Sequence, residues 1–290
     1  RNKPIVWTMH DMWPCTGICH HARDCEKFQT ECESCFFLKS KGKDLSTSVF
    51  DKKMSLYKDA NITFVGCSRW LSGRAKKSYL LRGKAVLSIP NPIDTKVYHP
   101  MDQGMARELL GLPSGKRLLL FGALNVTDKR KGIDYLIEAL RRMEKQDVEL
   151  VVFGQVKDDI RGLFPVPIHS MGYLSDESKI VALYNAVDMF ITSSLEENLP
   201  NTIMESMACG TPCVGFEIGG IPEMIDHRVN GYVANYKDAG DLANGIQWVL
   251  EHEDRLALSD ACVKKVQENY TEEVVAKQYT ALYEKLLKGE

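Results

Sequence analysis

A chain of 290 residues, 44% hydrophobic and 26% charged, can bury one or two ordinary cores and has the composition of a soluble globular protein. Its net charge of −2 gives a nucleic-acid partner no global electrostatic support. No apolar run reaches the ~18 residues a membrane span needs. The chain opens Arg1-Asn2-Lys3-Pro4 rather than with Met and shows no signal peptide, the pattern of a piece cut from a longer protein.

Taken in chain order, residues 4–10 (PIVWTMH) form an apolar, β-branched run and predict a buried strand. Residues 11–48 are rich in Cys, Gly and Lys with little periodicity, a length that is unusual for a structureless loop unless it is functional or cross-linked. A helix is expected over 47–59, with Phe50, Met54 and Tyr57 on one face. Then come a strand at 62–67, a helix at 68–79 capped by Ser68, and a strand at 85–89. Pro90-Asn91-Pro92 and the stretch to Pro100 read as a stiff connector, which places a domain boundary near residue 93.

Beyond it, strands at 117–121, 148–153, near 168, 189–192 and 212–216 alternate with helices at 132–143, 176–185 and 201–208. Such alternation predicts an α/β fold with a parallel sheet and right-handed crossovers. The second lobe reads as whole. The first retains three strands and lacks a Gly-rich turn after its first strand, so it reads as incomplete. Residues 238–290 are helical in pattern throughout.

The segment with the most chemistry is Ser193-Ser194-Leu195-Glu196-Glu197-Asn198-Leu199-Pro200-Asn201-Thr202-Ile203-Met204-Glu205, continuing through Ala208-Cys209-Gly210-Thr211-Pro212. It begins where a strand ends and a helix starts, the place where open α/β sheets bind ligands. The first turn of a helix offers backbone N–H groups and a positive dipole end, both suited to phosphate. Glu197 lies just before that helix and Glu205 about two turns inside it, with seven residues between them. One carboxylate can work at the mouth and the other can accept from a ribose diol. On spacing alone, two solvated acids on a helix would look the same.

A second loop, residues 121–132, joins a strand to a helix and carries Asn125, Arg130 and Lys131-Gly132. A diphosphate needs fixed cations, and a lysine at a helix start is well placed to supply one.

Together these segments resemble the retaining glycosyltransferases of family 4, with their Glu-x7-Glu motif followed by Ala-Cys-Gly-Thr-Pro. The resemblance runs from Pro4 to the chain end and is densest over 118–225. It implies the GT-B architecture of two Rossmann-like lobes. Residues 1–93 would belong to the acceptor-binding lobe, 94–270 to the donor-binding lobe, and 271–290 to a helix crossing back to the first lobe.

The resemblance also implies site roles. Glu197 lies by the donor sugar and Glu205 binds the nucleotide ribose, with the backbone at Asn198 and Leu199 meeting the diphosphate. Lys131 matches the family lysine on the donor phosphates. Asn125 stands where the family arginine is usual, and Arg130 is the candidate substitute. Gly172-Tyr173 resembles the turn whose backbone reads the base. His10 matches the family histidine near the transferred sugar, and Asp11 would orient its ring or hold the following loop. Gly219-Gly220-Ile221-Pro222-Glu223 matches as well, with glycines for tight turning and Glu223 in a structural role.

The reaction so implied is retaining transfer of a hexose-type sugar from a nucleotide-diphosphate sugar to a glycan or lipid-linked glycan acceptor in surface polysaccharide synthesis. No cofactor is required, because the donor phosphate itself helps deprotonate the acceptor. A GT-B sugar-nucleotide epimerase and a donor-binding fragment without full activity are the alternatives. The expected location is the cytoplasm, with peripheral association at the inner face of the membrane as an extension of that reading.

The cysteines need a separate account. Cys67, Cys209, Cys213 and Cys262 sit among apolar residues and read as buried small hydrophobes. Cys19, Cys25, Cys32 and Cys35 are spaced x5, x6 and x2, a set that could complete a structural Zn site, with His20 and His21 in reserve and Cys15 left over. Disulfides and free thiols are the alternatives, the former disfavoured in a reducing compartment. A similar Cys-rich insert follows the His-Asp pair in some bacterial exopolysaccharide transferases, including colanic-acid-type enzymes.

The tail over 271–287 predicts one helix, capped by Thr271, with Val274, Val275, Tyr279, Leu282, Tyr283 and Leu286 at helical spacing. On the resemblance, Tyr279 or Tyr283 should face residues between Asp51 and Ser78.

Overall fold

The computed structural model describes residues 3–125, 128–143, 147–155 and 161–289. The chain forms two compact units, one of residues 1–91 with 275–290 and one of residues 92–274.

The first unit holds β1 (Ile5–Met9), α1 (Leu45–Lys58), β2 (Ile62–Gly66), α2 (Arg69–Lys76) and β3 (Ala85–Ser88). Its sheet is parallel throughout, in the order β1-β2-β3. β2 is buried along its whole length, as its unbroken apolar run requires of a central parallel strand. α1 starts two residues earlier than expected because Asp44 caps it. The Asp44 carboxylate accepts from the amides of Ser46 and Thr47, while the Thr47 hydroxyl accepts from the amide of Asp44. Ser68 caps α2 through the amide of Leu71, as the sequence indicated.

The second unit begins with α3 (Gln103–Leu110), which the sequence reading passed over. It continues through β4 (Arg117–Asn125), α4 (Ile133–Arg142), β5 (Val148–Gln155), β6 (Ile168–Gly172), α5 (Glu177–Ala186), β7 (Met189–Thr192), α6 (Asn201–Ala208) and β8 (Cys213–Phe216). Then follow α7 (Ile221–Met224), β9 (Gly231–Ala234), α8 (Ala239–Leu250) and α9 (Arg255–Asn269). The sheet has six parallel strands in the order β6-β5-β4-β7-β8-β9. Leu119, Val152, Ile191 and Phe216 from the strands meet Leu136 of α4 and Ile246 of α8 in one core.

α3 is tied down by charge. Arg107 is buried and donates to the carbonyls of Ala186, Ser114 and Lys116, and its guanidinium lies 3.1 Å from Asp188. Asp188 also accepts from the amide of Leu118 at 2.7 Å and pairs with Arg255 at 2.5 Å. Both side chains of the Arg107–Asp188 pair are nearly inaccessible to water, at 6% and 3% exposure.

α10 (Glu272–Lys288) closes the chain, and from Val275 onward it belongs to the first unit. Val275 and Leu282 pack with Val65 and Ile89, and Val6, Tyr279 and Leu286 close around them. The ring of Tyr279 thus meets the cluster containing Val65, inside the 51–78 stretch. Its hydroxyl, however, pairs at 2.9 Å with Thr8 on β1, outside that stretch. Tyr283 is half exposed and lies against the Tyr279 ring.

Residues 11–44 carry three short 3-10 turns, at Trp13–Cys15, Lys27–Gln29 and Phe36–Leu38. The buried Lys53 holds this loop from beneath. Its ammonium donates to the carbonyls of Trp13, Thr16 and Gly17 at 2.6, 2.9 and 3.0 Å and sits 3.5 Å from the centre of the Trp13 ring. The Ser78 hydroxyl donates to the carbonyl of Cys15, and Asp44 accepts from the amide of Cys35 and the hydroxyl of Ser40.

The nine cysteines are all free thiols. Among the described residues, no three His, Cys, Asp or Glu side chains form a group that could hold a metal ion, although Cys35, Cys32 and Cys25 all lie near enough to Cys19 to raise its thiol. The loop is held by hydrogen bonds of its own. Cys32 accepts from the amide of Gly17, and burial, with Cys35, Cys32 and Cys25 adding to it, pushes the Cys19 thiol up to about 12. His20, the reserve ligand, pairs with Asp11 at 2.7 Å. Cys67, Cys209, Cys213 and Cys262 are buried, as their apolar settings indicated. Among the described residues, no helix is long and apolar enough to cross a membrane.

Candidate functional site

In the six-stranded sheet, β5 and β6 lie to one side of β4, while β7, β8 and β9 lie to the other. The gap between the carboxyl ends of β4 and β7 is therefore the topological switch point, where chains leave in opposite directions and open a crevice. The two loops singled out in the sequence leave from these two strands. Val126 and Thr127 of the first loop lie outside the described residues.

The loops are fastened to each other. The amide of Leu195 donates to the carbonyl of Arg130 at 2.7 Å, and the Ser193 hydroxyl donates to the carbonyl of Lys131 at 2.9 Å. Gly132 makes this approach feasible. Its φ is +65°, and a Cβ there would lie 1.9 Å from the carbonyl oxygen of Ser193. On the far side, Gly219 has φ +59° and runs equally close to the carbonyl of Glu197, while the amide of Gly220 donates to the carbonyl of Asn198. The Tyr236 hydroxyl donates to the carbonyl of Leu195 at 3.1 Å. The loop before α6 is thus gripped from both flanks.

This grip places Lys131 and Glu197 together. Nζ of Lys131 donates to Oε1 of Glu197 at 2.5 Å, with the side chains 33% and 14% exposed. The lysine keeps free donor capacity toward solvent, and the carboxylate holds it at the crevice. Asn198 and Leu199 are buried beside them. α6 then begins four residues after Glu197 without a side-chain cap; the amide of Ile203 donates to the carbonyl of Pro200.

Arg130 does not join this pair. Its guanidinium is 61% exposed and turns back onto Asp128, which also accepts from the amide of Arg130. The pairing holds the Asp128 carboxyl below its usual range and raises Arg130, with the shared hydrogen bond as the leading cause in each. Asn125 is the last residue of β4, and its carbonyl accepts from the amide of Asp128. Gly172 ends β6, the edge strand, with φ +63° and open space where a Cβ would stand; Tyr173 after it is exposed.

Glu205 lies deeper. Burial pushes its carboxyl up, and Glu177 adds to that, while a hydrogen bond from the Tyr184 hydroxyl to Oε2 at 2.7 Å pulls it down. Tyr98 stands close enough that Glu205, after burial, raises its phenol.

His10 is exposed at the carboxyl end of β1, in the first unit. Asp11 serves the loop, with its carboxylate accepting from the amide of Trp13 at 2.7 Å and pairing with His20. The backbone carbonyl of Glu223 accepts from the Tyr270 hydroxyl at 3.2 Å. Sequence reasoning missed Tyr184, Tyr236 and Lys53, and gave Ser193 no role of its own. All four are ordinary residue types in ordinary patterns.

Residues 115–252 match the family model described as Glycosyl transferases group 1. The match covers just under half of the chain and is centred on the β4–β7 crevice. The chain is 24% identical over 213 residues to N-acetyl-alpha-D-glucosaminyl L-malate synthase of Bacillus anthracis, covering 71% of this chain and 55% of that protein. It is 33% identical over 118 residues to N,N'-diacetylbacillosaminyl-diphospho-undecaprenol alpha-1,3-N-acetylgalactosaminyltransferase of Campylobacter jejuni, covering 40% of this chain and 31% of that one. The chain thus spans from about a third to about half of the length of these two relatives. Among solved structures it superposes on Anabaena Alr3699/HepE in complex with UDP with a TM-score of 0.74 at 19% identity, covering 97% of this chain and 72% of that one. The fold is that of the GT-B glycosyltransferases.

Proposed function

We propose that the chain is part of a group 1 glycosyltransferase, that it binds a nucleotide-diphosphate sugar at the β4–β7 crevice, and that the whole protein transfers the sugar, with retention, to a glycan or lipid-linked glycan acceptor in surface polysaccharide synthesis. The observation that carries the reading is the Lys131–Glu197 pair, set beside the uncapped start of α6. A cation, a row of backbone N–H groups and a helix dipole aimed at one point form a diphosphate site. The UDP bound in the Anabaena structure and the diphospho-undecaprenol in the Campylobacter relative's name support the two substrate classes.

In the reaction so proposed, the bond from the sugar's anomeric carbon to the diphosphate breaks and the bond from that carbon to the acceptor oxygen forms on the same face. The acceptor proton passes to the departing phosphate, and Lys131 with the helix start stabilises the charge left there. Glu197 faces the sugar and Glu205 the ribose. Asn125, Arg130 and the Gly172-Tyr173 turn are assigned to the donor, and His10 to the transferred sugar, on the resemblance alone. The chemistry needs no cofactor. A place at the cytoplasmic membrane face is supported by exposed Phe36, Phe37 and Leu38, followed by Lys39, Lys41 and Lys43.

Lys131→Ala tests the core of this reading. Calorimetry with UDP, GDP and ADP should show tenfold or greater loss for the diphosphate that binds, against little change for its nucleoside. Equal losses for both would count against the diphosphate site. Donor binding without sugar release or transfer would favour the donor-binding fragment.

A further inference from the structure

Tyr184 is a wholly buried phenol on α5. Its ring meets Phe153 of β5 and Phe190 of β7 edge-on, at centroid distances of 6.2 and 6.0 Å. Its own carbonyl accepts from the Thr211 hydroxyl at 2.7 Å. Ring and backbone are both fixed, so the hydroxyl has one place to be. A buried phenol needs a polar partner, and this one donates to Oε2 of Glu205 at 2.7 Å. A carboxylate has two oxygens, and an unpinned glutamate would spend its side-chain freedom on binding.

We propose that Tyr184 is the positioning residue of the ribose subsite: its hydroxyl pins one oxygen of Glu205 so that the other is presented to the nucleotide's ribose hydroxyls. This rests on the reading of Glu205 as the ribose acceptor. Tyr184 has a second effect on the same group. The ionisable neighbours of Glu205 are Glu177 and Tyr184 on α5, Tyr98 in the segment before α3, and Cys209 just beyond α6. Burial first, then Glu177, favour the neutral acid, and the Tyr184 hydrogen bond opposes them. The phenol thus both aims the acceptor and favours its ionised form.

The test uses Tyr184→Phe, which removes one oxygen and leaves the ring packing, beside Glu205→Ala and the unaltered chain. UDP, GDP and ADP are each compared with their 2′-deoxy counterparts by calorimetry between pH 5.5 and 8.5. The unaltered chain should prefer the ribonucleotide of its base about tenfold or more, and Glu205→Ala should abolish that preference. Tyr184→Phe should cut it to about threefold while binding the 2′-deoxy nucleotide as before, which also reports an intact fold. The pH midpoint of the residual preference should move upward, because the hydrogen bond that lowers Glu205 is gone. If no diphosphate binds, or the unaltered chain does not discriminate, or Glu205→Ala still does, the ribose reading falls and this inference with it. If Glu205→Ala loses discrimination but Tyr184→Phe keeps the unaltered preference and midpoint, the inference alone fails. Equal weakening of ribo and deoxy forms in Tyr184→Phe would mark a structural role and overturn it too.

Discussion

Gly132 and Gly172 make a matched pair that isolates what holds the crevice together. Their φ angles are +65° and +63°, so an alanine at either position meets the same left-handed backbone cost of about 1–2 kcal/mol. Their surroundings differ completely. A Cβ at Gly172 would meet nothing within 4 Å, whereas one at Gly132 would stand 1.9 Å from the Ser193 carbonyl oxygen. Ordinary contact begins near 3.4 Å, so the two loops must separate by roughly 1.5 Å (3.4 − 1.9) to admit it. That opening strains both cross-loop hydrogen bonds, Leu195 to Arg130 and Ser193 to Lys131, each worth about 0.5–1.5 kcal/mol. Gly132→Ala should therefore cost about 2–5 kcal/mol in all, and Gly172→Ala only the first part. Separation also takes Lys131 off Glu197, so UDP, GDP or ADP affinity should fall tenfold or more in Gly132→Ala, or about 1.4 kcal/mol. Urea unfolding followed by tryptophan fluorescence, with calorimetry of the same samples, would measure both. Variants matching in stability to within about 0.5 kcal/mol, with unchanged nucleotide affinity, would refute the account of the loop clamp.

Two further outcomes concern stability. Asp188→Ala leaves the Arg107 guanidinium buried without its counter-ion and the amide of Leu118 without its acceptor, so a loss of about 3–5 kcal/mol is expected in urea titrations; under 1 kcal/mol would mean the carbonyls around Arg107 suffice. Burial pushes the thiols of Cys15, Cys19, Cys209 and Cys213 from 9.0 up to about 12. Above pH 9 the unfolded chain releases these protons while the folded chain keeps them, so their stabilisation is complete below 9 and is lost as pH climbs toward 12. Lys53, pushed down by burial from 10.5 to about 8, works the other way between those values, but it is one group against four. Urea midpoints under reductant should fall between pH 9 and 10.5, and a steady rise across that range would contradict the assignment of buried thiols.

The sequence by itself determined the parallel α/β order and the positions of its strongest signals. Strands with unbroken apolar runs, such as 118–121 and 189–192, announce burial on both faces, and Ser68 and Thr271 each cap the helix they precede. β7 and α6 fall on the residues expected, because strand end, proline and helix start follow one another without ambiguity. α3 and β9 were missed. α3 is short, and its place is fixed by Arg107 reaching Asp188, 81 residues away; β9 has four residues and gains its identity only by pairing with β8. The same division runs through the site. Glu197, Lys131 and Glu205 stand out by motif, since each lies at a strand–helix junction or at fixed spacing along a helix. That Lys131 grips Glu197, that Arg130 spends itself on Asp128, and that Tyr184 holds Glu205 were decided by tertiary structure. The cysteine loop shows the limit most clearly. Spacing singles out the cysteines, but it does not show that the described loop is held by a lysine on α1, 36–40 residues from the carbonyls it binds. Local pattern reports the period of a chain and the chemistry of its termini; which distant partner satisfies a buried charge depends on packing that no local pattern encodes.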